Sequence, residues 1–161
     1  MIWVVRLFLF AYFVVYFGIG AWSIIDFGLD AVQDDGGLLF GYEIPRFLPI
    51  VGLNVETPIG YSEIAGIYGG INLMVGIFCL LGVISRYMAK KSFFLLAFLT
   101  FSIALGRIFL SLIDESVPSI VVNNLFFYFE VTTFFLSIIF LIYLNVSKKK
   151  TADDPDIDEV A

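Results

Sequence analysis

The sequence predicts an all-α integral membrane protein, built as a bundle of four transmembrane helices with both ends on the cytoplasmic side. Its 161 residues are 60% hydrophobic, with a mean hydropathy of +0.98. Only 15% of the residues are charged, against about 25% in a typical soluble domain. Four apolar stretches are each long enough to cross a bilayer, which takes about 20 residues. Basic residues collect at alternate connections, and their positions predict the direction of each span.

The four spans are expected at about residues 2–29, 59–85, 93–113 and 120–146. They should be helices, because an open chain in hydrocarbon can satisfy its backbone polar groups only within a helix. The connection at residues 30–58 is long, and the other two connections are short. The chain length is that of a single domain.

The distribution of lysine and arginine predicts the topology. Arg86, Lys90 and Lys91 lie between the second and third spans, and a run of three lysines at 148–150 follows the fourth. Because such residues are retained on the cytoplasmic side, both regions are expected to face inward. The acid-rich first and third connections are expected to face outward. An even number of spans makes these assignments consistent and places both termini in the cytoplasm.

The first span has an alternative interpretation as a cleaved signal peptide. Arg6 precedes an apolar core, and Gly18 and Gly20 form a small-x-small pattern of the kind found at cleavage sites. Apolar residues nevertheless continue through Trp22 to Phe27. That length favours an attached transmembrane helix.

Two regions outside the spans have their own patterns. The connection at residues 30–58 exceeds the usual helix connection of about 2–8 residues and is apolar in its second half. We expect a cap on the outer mouth of the bundle, with one short strand or helical turn. A poorly ordered interfacial loop is the alternative. The segment at residues 148–161 is basic, then acidic, and lacks aromatic residues. It is expected to be a disordered cytoplasmic tail.

Four ionisable residues fall inside the predicted spans: Asp26, Glu63, Arg107 and Glu130. Each is costly there, by about 2.5–3.5 kcal/mol at the centre of a helix on insertion scales. With a rise of about 1.5 Å per residue, Glu63, Arg107 and Glu130 lie about 6, 9 and 15 Å from the outer ends of their spans. Asp26 is near the outer end of the first span. All four therefore belong to the outer half of the bundle.

Arg107 is the natural centre of this group, because its planar fork can bind two carboxylates. Glu63 is the partner best matched in depth, and Asp26 and Glu130 are possible second partners. With three acids and one base, one acid should be protonated or should bind a cation or amine. That acid is expected to be Glu130. The group is either a polar ligand, ion or proton site between the helices, or a buried pair that fixes their register.

The second span contains a glycine-rich segment. Glycines at i and i+4 let helices approach closely. A tyrosine hydroxyl in this segment could bind a partner, and a buried asparagine should need an interhelical hydrogen bond. The residues expected to pack helices are Gly66, Gly69, Gly70 and Gly106, and those expected to form the polar site are Glu63, Arg107, Glu130, Asp26, Tyr68 and Asn72.

The pattern E-x-x-G-x-Y-G-G at residues 63–70, followed by G-R at residues 106–107, resembles a known family. It is an uncharacterised bacterial family of small four-helix membrane proteins, a domain of unknown function akin to the DoxX-like proteins. The resemblance covers roughly residues 3–144. It implies a four-helix protein of a bacterial inner membrane. The positions that the family pattern marks are Glu63, Gly66, Tyr68, Gly69, Gly70, Gly106 and Arg107. The resemblance implies no activity.

Composition removes several classes of function. The chain has no histidine and one cysteine, Cys79, so the usual haem ligand, the commonest zinc ligand and the commonest general base are missing. No catalytic residue, metal or cofactor is predicted, and no basic aromatic surface favours nucleic acid. A non-enzymatic binding or accessory protein is favoured, with membrane lipid and a larger membrane complex or a homo-oligomer as partners.

Two other classes remain open. One is a proton- or ion-coupled transporter working as an oligomer. The other is an enzyme acting on a lipid or quinone. Polar residues continuing through both halves of the membrane would favour transport, whereas a polar site confined to the outer half would favour binding.

Overall fold

Over the residues that it describes, the computed structural model is helical apart from one small strand pair, and its chain forms two compact units, Met1–Val83 and Ile84–Ala161. Among the described residues, four helices are long and apolar enough to cross a membrane. The structure describes residues 2–30, 38–39, 42–43, 47–51, 53, 55, 57–113 and 124–153. The four membrane-length helices are Trp3–Ile25, Ile59–Ile84, Arg86–Ile113 and Leu125–Ser147.

The first unit is built on two long helical segments. The first is α1, Ile2–Asp30. The second is continuous and consists of α3, Pro58–Ile64, a π-helix at Ala65–Ile71, and α4, Asn72–Ile84. It begins at a Thr-Pro pair, because the Thr57 hydroxyl oxygen accepts a hydrogen bond from the Gly60 amide at 3.2 Å. Proline suits the first helical position, where its missing N–H has no partner to lose.

Between these segments lie a two-stranded antiparallel sheet and a short helix. The strands are β1, Leu38–Leu39, and β2, Tyr42–Glu43. The helix is α2, Phe47–Val51. Phe47 is buried and meets the rings of Trp22 and Tyr68 edge to face, each at a centroid distance of 5.5 Å. The segment predicted to form a cap therefore includes a strand pair and a helical turn, and the helix packs on α1 and the π-helix. Its position at the outer mouth of a bundle stays a prediction.

The two long segments of the first unit cross at three glycines. A Cβ added to Gly20 would lie 2.7 Å from the Leu73 amide nitrogen and 2.9 Å from the Gly69 carbonyl oxygen. One added to Gly76 would lie 2.9 Å from the Phe17 nitrogen. These atoms belong to backbones, which cannot move aside like the end of a side chain. Glycine is therefore required for the observed separation of the helices.

The four glycines predicted to pack helices behave differently from one another. Gly69 is buried at the crossing, where an added Cβ would collide with the side chain of Ile24. At Gly66, Gly70 and Gly106, an added Cβ would meet none of the described atoms within 4 Å. Only Gly69 of this set therefore takes part in a close helix contact that the structure describes.

The second unit pairs α5, Arg86–Ile113, with α6, Leu125–Asp153. The helices are antiparallel, because Lys90 near the start of α5 donates a hydrogen bond to Asn145 near the end of α6, at 2.8 Å. Phe93 stacks on Phe140, and Phe101 on Phe134, each at 5.1 Å between ring centroids.

Both helices of the second unit differ from their predicted bounds. α5 begins at Arg86 rather than near residue 93, because the Ser85 hydroxyl accepts from the Met88 amide at 3.4 Å. The basic residues 86–91 are therefore its first turns, not a connection. α6 begins at Leu125 rather than near residue 120, because the Asn124 side chain accepts from the Phe126 amide at 2.9 Å. It runs on to Asp153, so residues 148–153 of the tail predicted to be disordered are helical, and residues 154–161 of that tail lie outside the described residues.

Candidate functional site

The most specific polar contact in the second unit joins Arg107 of α5 to Glu130 of α6. Arg107 Nε lies 3.0 Å from Oε2 and 3.2 Å from Oε1 of Glu130, and Arg107 Nη2 lies 3.0 Å from Oε1. This is the side-on, bidentate geometry in which a guanidinium and a carboxylate match best. The pair lies one helical turn or more from the ends of both helices, so it belongs to apolar segments.

The two partners are buried to different extents. The Glu130 side chain is 9% exposed, whereas that of Arg107 is 33% exposed. A guanidinium has five N–H donors, and Glu130 takes the one on Nε and one on Nη2. Three N–H groups of Arg107 are then left, and among the described residues no further partner is recorded for them. The exposed part of Arg107 is thus a fixed group of hydrogen-bond donors.

The surface beside these donors is open and apolar. Gly106 is exposed, and a Cβ added there would meet none of the described atoms within 4 Å. Residues four before and three after Arg107 in a helix lie on its side of the helix. These are Ile103 and Leu110, with exposures of 39% and 54%. Exposed aliphatic side chains therefore lie before and after Arg107 on its side of the helix, and the residue that precedes it has no side chain.

The structure pairs Arg107 with Glu130, which is not the partner that the estimated depths in the membrane favoured. Depth placed Glu63 first and left Glu130 without a cation, whereas the structure gives the Arg107 ion pair to Glu130. The depth estimate gives the position of a residue along its span but not the side of the helix on which its side chain lies, and that side decides which residues make contact. Glu63 is an exposed residue of the first unit, and its predicted pairing stays a prediction. The side chain of Asp26 lies outside the described residues.

Tyr68 and Asn72 lie in the first unit, in and next to the π-helix. Tyr68 contacts Phe47 through its ring. The Asn72 side chain donates a hydrogen bond to the Tyr68 carbonyl of its own helix. Among the described residues this is the hydrogen bond recorded for the Asn72 side chain, so its amide satisfies a carbonyl at the junction of the π-helix with α4, and the expected interhelical bond stays a prediction.

Sequence reasoning missed the buried hydroxyls inward of the ion pair. Thr133 and Ser137 of α6 and Thr100 of α5 are fully buried. Thr100 and Thr133 donate to carbonyls of their own helices at 2.7 Å. Ser137 Oγ has no hydrogen-bond partner among the described residues. The signal was available, because positions 130, 133 and 137 recur at the spacing of one helix face.

The hydroxyls end about 10.5 Å inward of the ion pair, seven residues along each helix. Next along the interface come the stacked rings of Phe93 and Phe140, with Leu96 and Leu144 also buried. Polar side chains return at the fully buried Ser92, which donates a hydrogen bond to the Met88 carbonyl at 2.9 Å, and where Lys90 meets Asn145. Within the described part of this unit, the polar interior is therefore interrupted by an apolar layer.

Among the described residues, no group of three or more histidine, cysteine, aspartate or glutamate side chains is placed to hold a metal ion. Cys79 is fully buried within α4. What the second unit offers is hydrogen-bond donation from a charge-compensated guanidinium.

Comparison of the chain with models of known families, with curated proteins and with solved structures finds no match. The family resemblance of residues 63–70 and 106–107 therefore stays a prediction.

Proposed function

We propose that this chain is a multi-pass protein of a bacterial inner membrane with a non-enzymatic binding or accessory role. Its four apolar helices cross the bilayer, both termini are cytoplasmic, and the Arg107–Glu130 pair lies in the outer half. The pair binds the polar group of a membrane lipid or another amphiphile. The four helices of membrane length and the positions of the basic residues support this arrangement.

One observation carries the binding role: the partly exposed guanidinium of Arg107 is held in place by Glu130 with three N–H groups left over. In hydrocarbon, an unsatisfied polar group costs several kcal/mol, because no water replaces its partner. Arg107 lies about 9 Å from the end of α5, within reach of the interfacial groups of lipids. An acceptor from a bound amphiphile would satisfy these donors.

The geometry of this site disfavours a proton- or ion-coupled transporter, and it disfavours an enzyme that would use Glu130 as its general base. A proton or ion path would need polar groups through both halves of the membrane, and in the second unit the Phe93–Phe140 stack interrupts them. A general base needs a free carboxylate within reach of its substrate, and both Glu130 oxygens are hydrogen-bonded to Arg107. A binding role requires only the hydrogen-bond donors of Arg107 that this site has.

Co-purification tests the proposal. Wild type and Arg107→Lys would be purified in a mild detergent, and bound lipids and small amphiphiles would be identified by mass spectrometry. Lysine keeps the positive charge facing Glu130 but loses the planar fork. Wild type should retain a molecule that Arg107→Lys loses, while the control Arg86→Lys, at an exposed arginine of the same helix, should retain it. The same bound molecules in all three proteins would refute a site at Arg107.

A further inference from the structure

We infer that the group bound by Arg107 is an uncharged carbonyl oxygen rather than an anion. This rests on the proposed function, because it names the chemistry of the ligand at the same site. Three features of the site point to a carbonyl: the charge of the pair, the number and placement of the free donors, and the apolar surface of the helix around Arg107.

Charge is the first consideration. Glu130 binds Arg107 through both carboxylate oxygens, and the ion pair has no net charge. An anionic ligand would leave one uncompensated negative charge in an apolar segment, which is strongly unfavourable in a medium of low dielectric constant. An uncharged acceptor satisfies the remaining N–H groups without adding charge.

The free donors also fit a carbonyl oxygen. Glu130 uses the Nε–H and one N–H of Nη2, so the other Nη2–H and the two N–H groups of Nη1 are left. These sit on adjacent nitrogens of one rigid plane. A carbonyl oxygen has two lone pairs and can accept from two such donors at once.

The surroundings favour an amphiphile. Glycine is disfavoured in a helix relative to alanine, and no packing contact among the described residues explains Gly106. It leaves the helix surface next to Arg107 in the chain without a side chain. Ile103 and Leu110 offer exposed aliphatic surface on either side. The ligand should therefore combine a carbonyl with an apolar body. The acyl ester of a bilayer phospholipid and a quinone are two sources of that chemistry.

The experiment measures hydrogen exchange of the Arg107 Nη protons by NMR, with the protein in nanodiscs and the signal assigned by its loss in Arg107→Lys. Four nanodisc preparations are compared: diester phosphatidylcholine, diether phosphatidylcholine, the diether lipid with a short-chain quinone, and the diether lipid with oleate. The two lipids share a headgroup and differ in the ester carbonyl. The quinone supplies a free carbonyl, and oleate supplies a carboxylate.

Exchange should be slow in the diester lipid and about tenfold faster in the diether lipid, the factor for one hydrogen bond of about 1.4 kcal/mol. Quinone restoring slow exchange would identify a free carbonyl compound as a sufficient source. Slow exchange in the diester lipid alone would identify the lipid ester. Slow exchange only with oleate would overturn the carbonyl inference and leave the binding role standing. Rapid exchange in all four preparations would overturn both.

Two variants test the reasons separately. Glu130→Gln removes the compensating charge, so oleate should then slow the exchange of the Arg107 Nη protons, which it should not do in wild type. If oleate fails to slow this exchange in Glu130→Gln as well, the charge argument is refuted. Gly106→Leu should block the approach and abolish protection in the diester lipid. Gly70→Leu, at a glycine with equally open surroundings in the first unit, should not. Equal effects of the two leucines would refute the role of Gly106.

Discussion

The close helix crossing of the first unit yields a prediction with opposite signs at neighbouring glycines. We expect Gly20→Ala and Gly76→Ala to destabilise this unit. The added Cβ atoms would lie 2.7 Å from the Leu73 nitrogen and 2.9 Å from the Phe17 nitrogen, respectively. Ordinary contacts to carbon are about 3.5–4.0 Å, so the backbones must separate by roughly 0.5–1 Å.

The magnitude follows from that separation. A gap of about 0.5–1 Å forfeits a quarter to a half of the dispersion energy of each contact it opens. Overpacking of a tight interface typically costs about 1–3 kcal/mol. Alanine regains up to about 1 kcal/mol over glycine through its helix propensity. We therefore expect each variant to lose about 1–2 kcal/mol.

Matched controls lie in the same helical segment. Gly66→Ala and Gly70→Ala place a Cβ where none of the described atoms is within 4 Å. They should bring no packing cost and be neutral or stabilising by up to about 1 kcal/mol. The difference between the two pairs of variants should thus be roughly 2 kcal/mol.

The assay uses Cys79, the chain's one cysteine, which is fully buried in α4 of this unit. Maleimide labels it only when the unit opens, so the labelling rate follows the opening equilibrium. A loss of about 1–2 kcal/mol raises the rate roughly 5- to 30-fold. Gly20→Ala and Gly76→Ala should label faster by that factor, and Gly66→Ala and Gly70→Ala no faster than wild type. Equal rates in all four variants would refute the crossing.

Three further predictions concern the ion pair, a buried hydroxyl and the topology. Arg107→Gln should lower the free energy of unfolding by about 2 kcal/mol, less than the roughly 3–5 kcal/mol lost when a fully buried pair is broken, because Arg107 is partly exposed. Adding Glu130→Gln should recover part of that loss. Strictly additive effects of the two substitutions in a detergent unfolding titration would show that the residues are not coupled. Ser137→Ala should leave stability unchanged or raise it by up to about 1 kcal/mol, because the hydroxyl has no partner among the described residues; a large loss in the same titration would mean that the hydroxyl binds an unseen group. Reporter fusions after Ser147 should be cytoplasmic and fusions at Gly36 external; a periplasmic reporter at Ser147 would reverse the topology.

Sequence reasoning predicted the number and type of the long helices well, because apolar length is a property of the chain alone. It was less exact at their ends. The caps at Ser85 and Asn124 fix where α5 and α6 begin, and they depend on single side-chain hydrogen bonds. Hydropathy does not detect such bonds, since a basic first turn and a basic connection have the same composition.

The polar site was predicted only in part. The rise per residue placed Arg107 at a depth from which it reaches an acid of the fourth span, but it could not identify Glu130 as the acid that faces it. That choice depends on the rotation of α5 against α6, which brings Glu130 to the guanidinium. Thr100 of α5 and Ser137 of α6 are also buried, and a search confined to ionisable residues overlooked them. The rotation of one helix against another depends on all the contacts between them, so it cannot be predicted from the sequence of a single span.

The π-helix at Ala65–Ile71 has a consequence for how this chain tolerates insertions and deletions. Hydrogen bonds spanning five residues instead of four accommodate an extra residue in a turn. Removing one residue there, for example Ile67, would let the segment revert to an α-helix without shortening the chain elsewhere. Because the wide turn is what holds the extra residue, the residues on both sides of such a deletion, Glu63 and Gly76 included, would keep nearly the same facing direction. A deletion of one residue in the regular part of α4 would instead turn everything before it by about 100°, so the wide turn is the place where this helix can lose a residue with the least change to its packing.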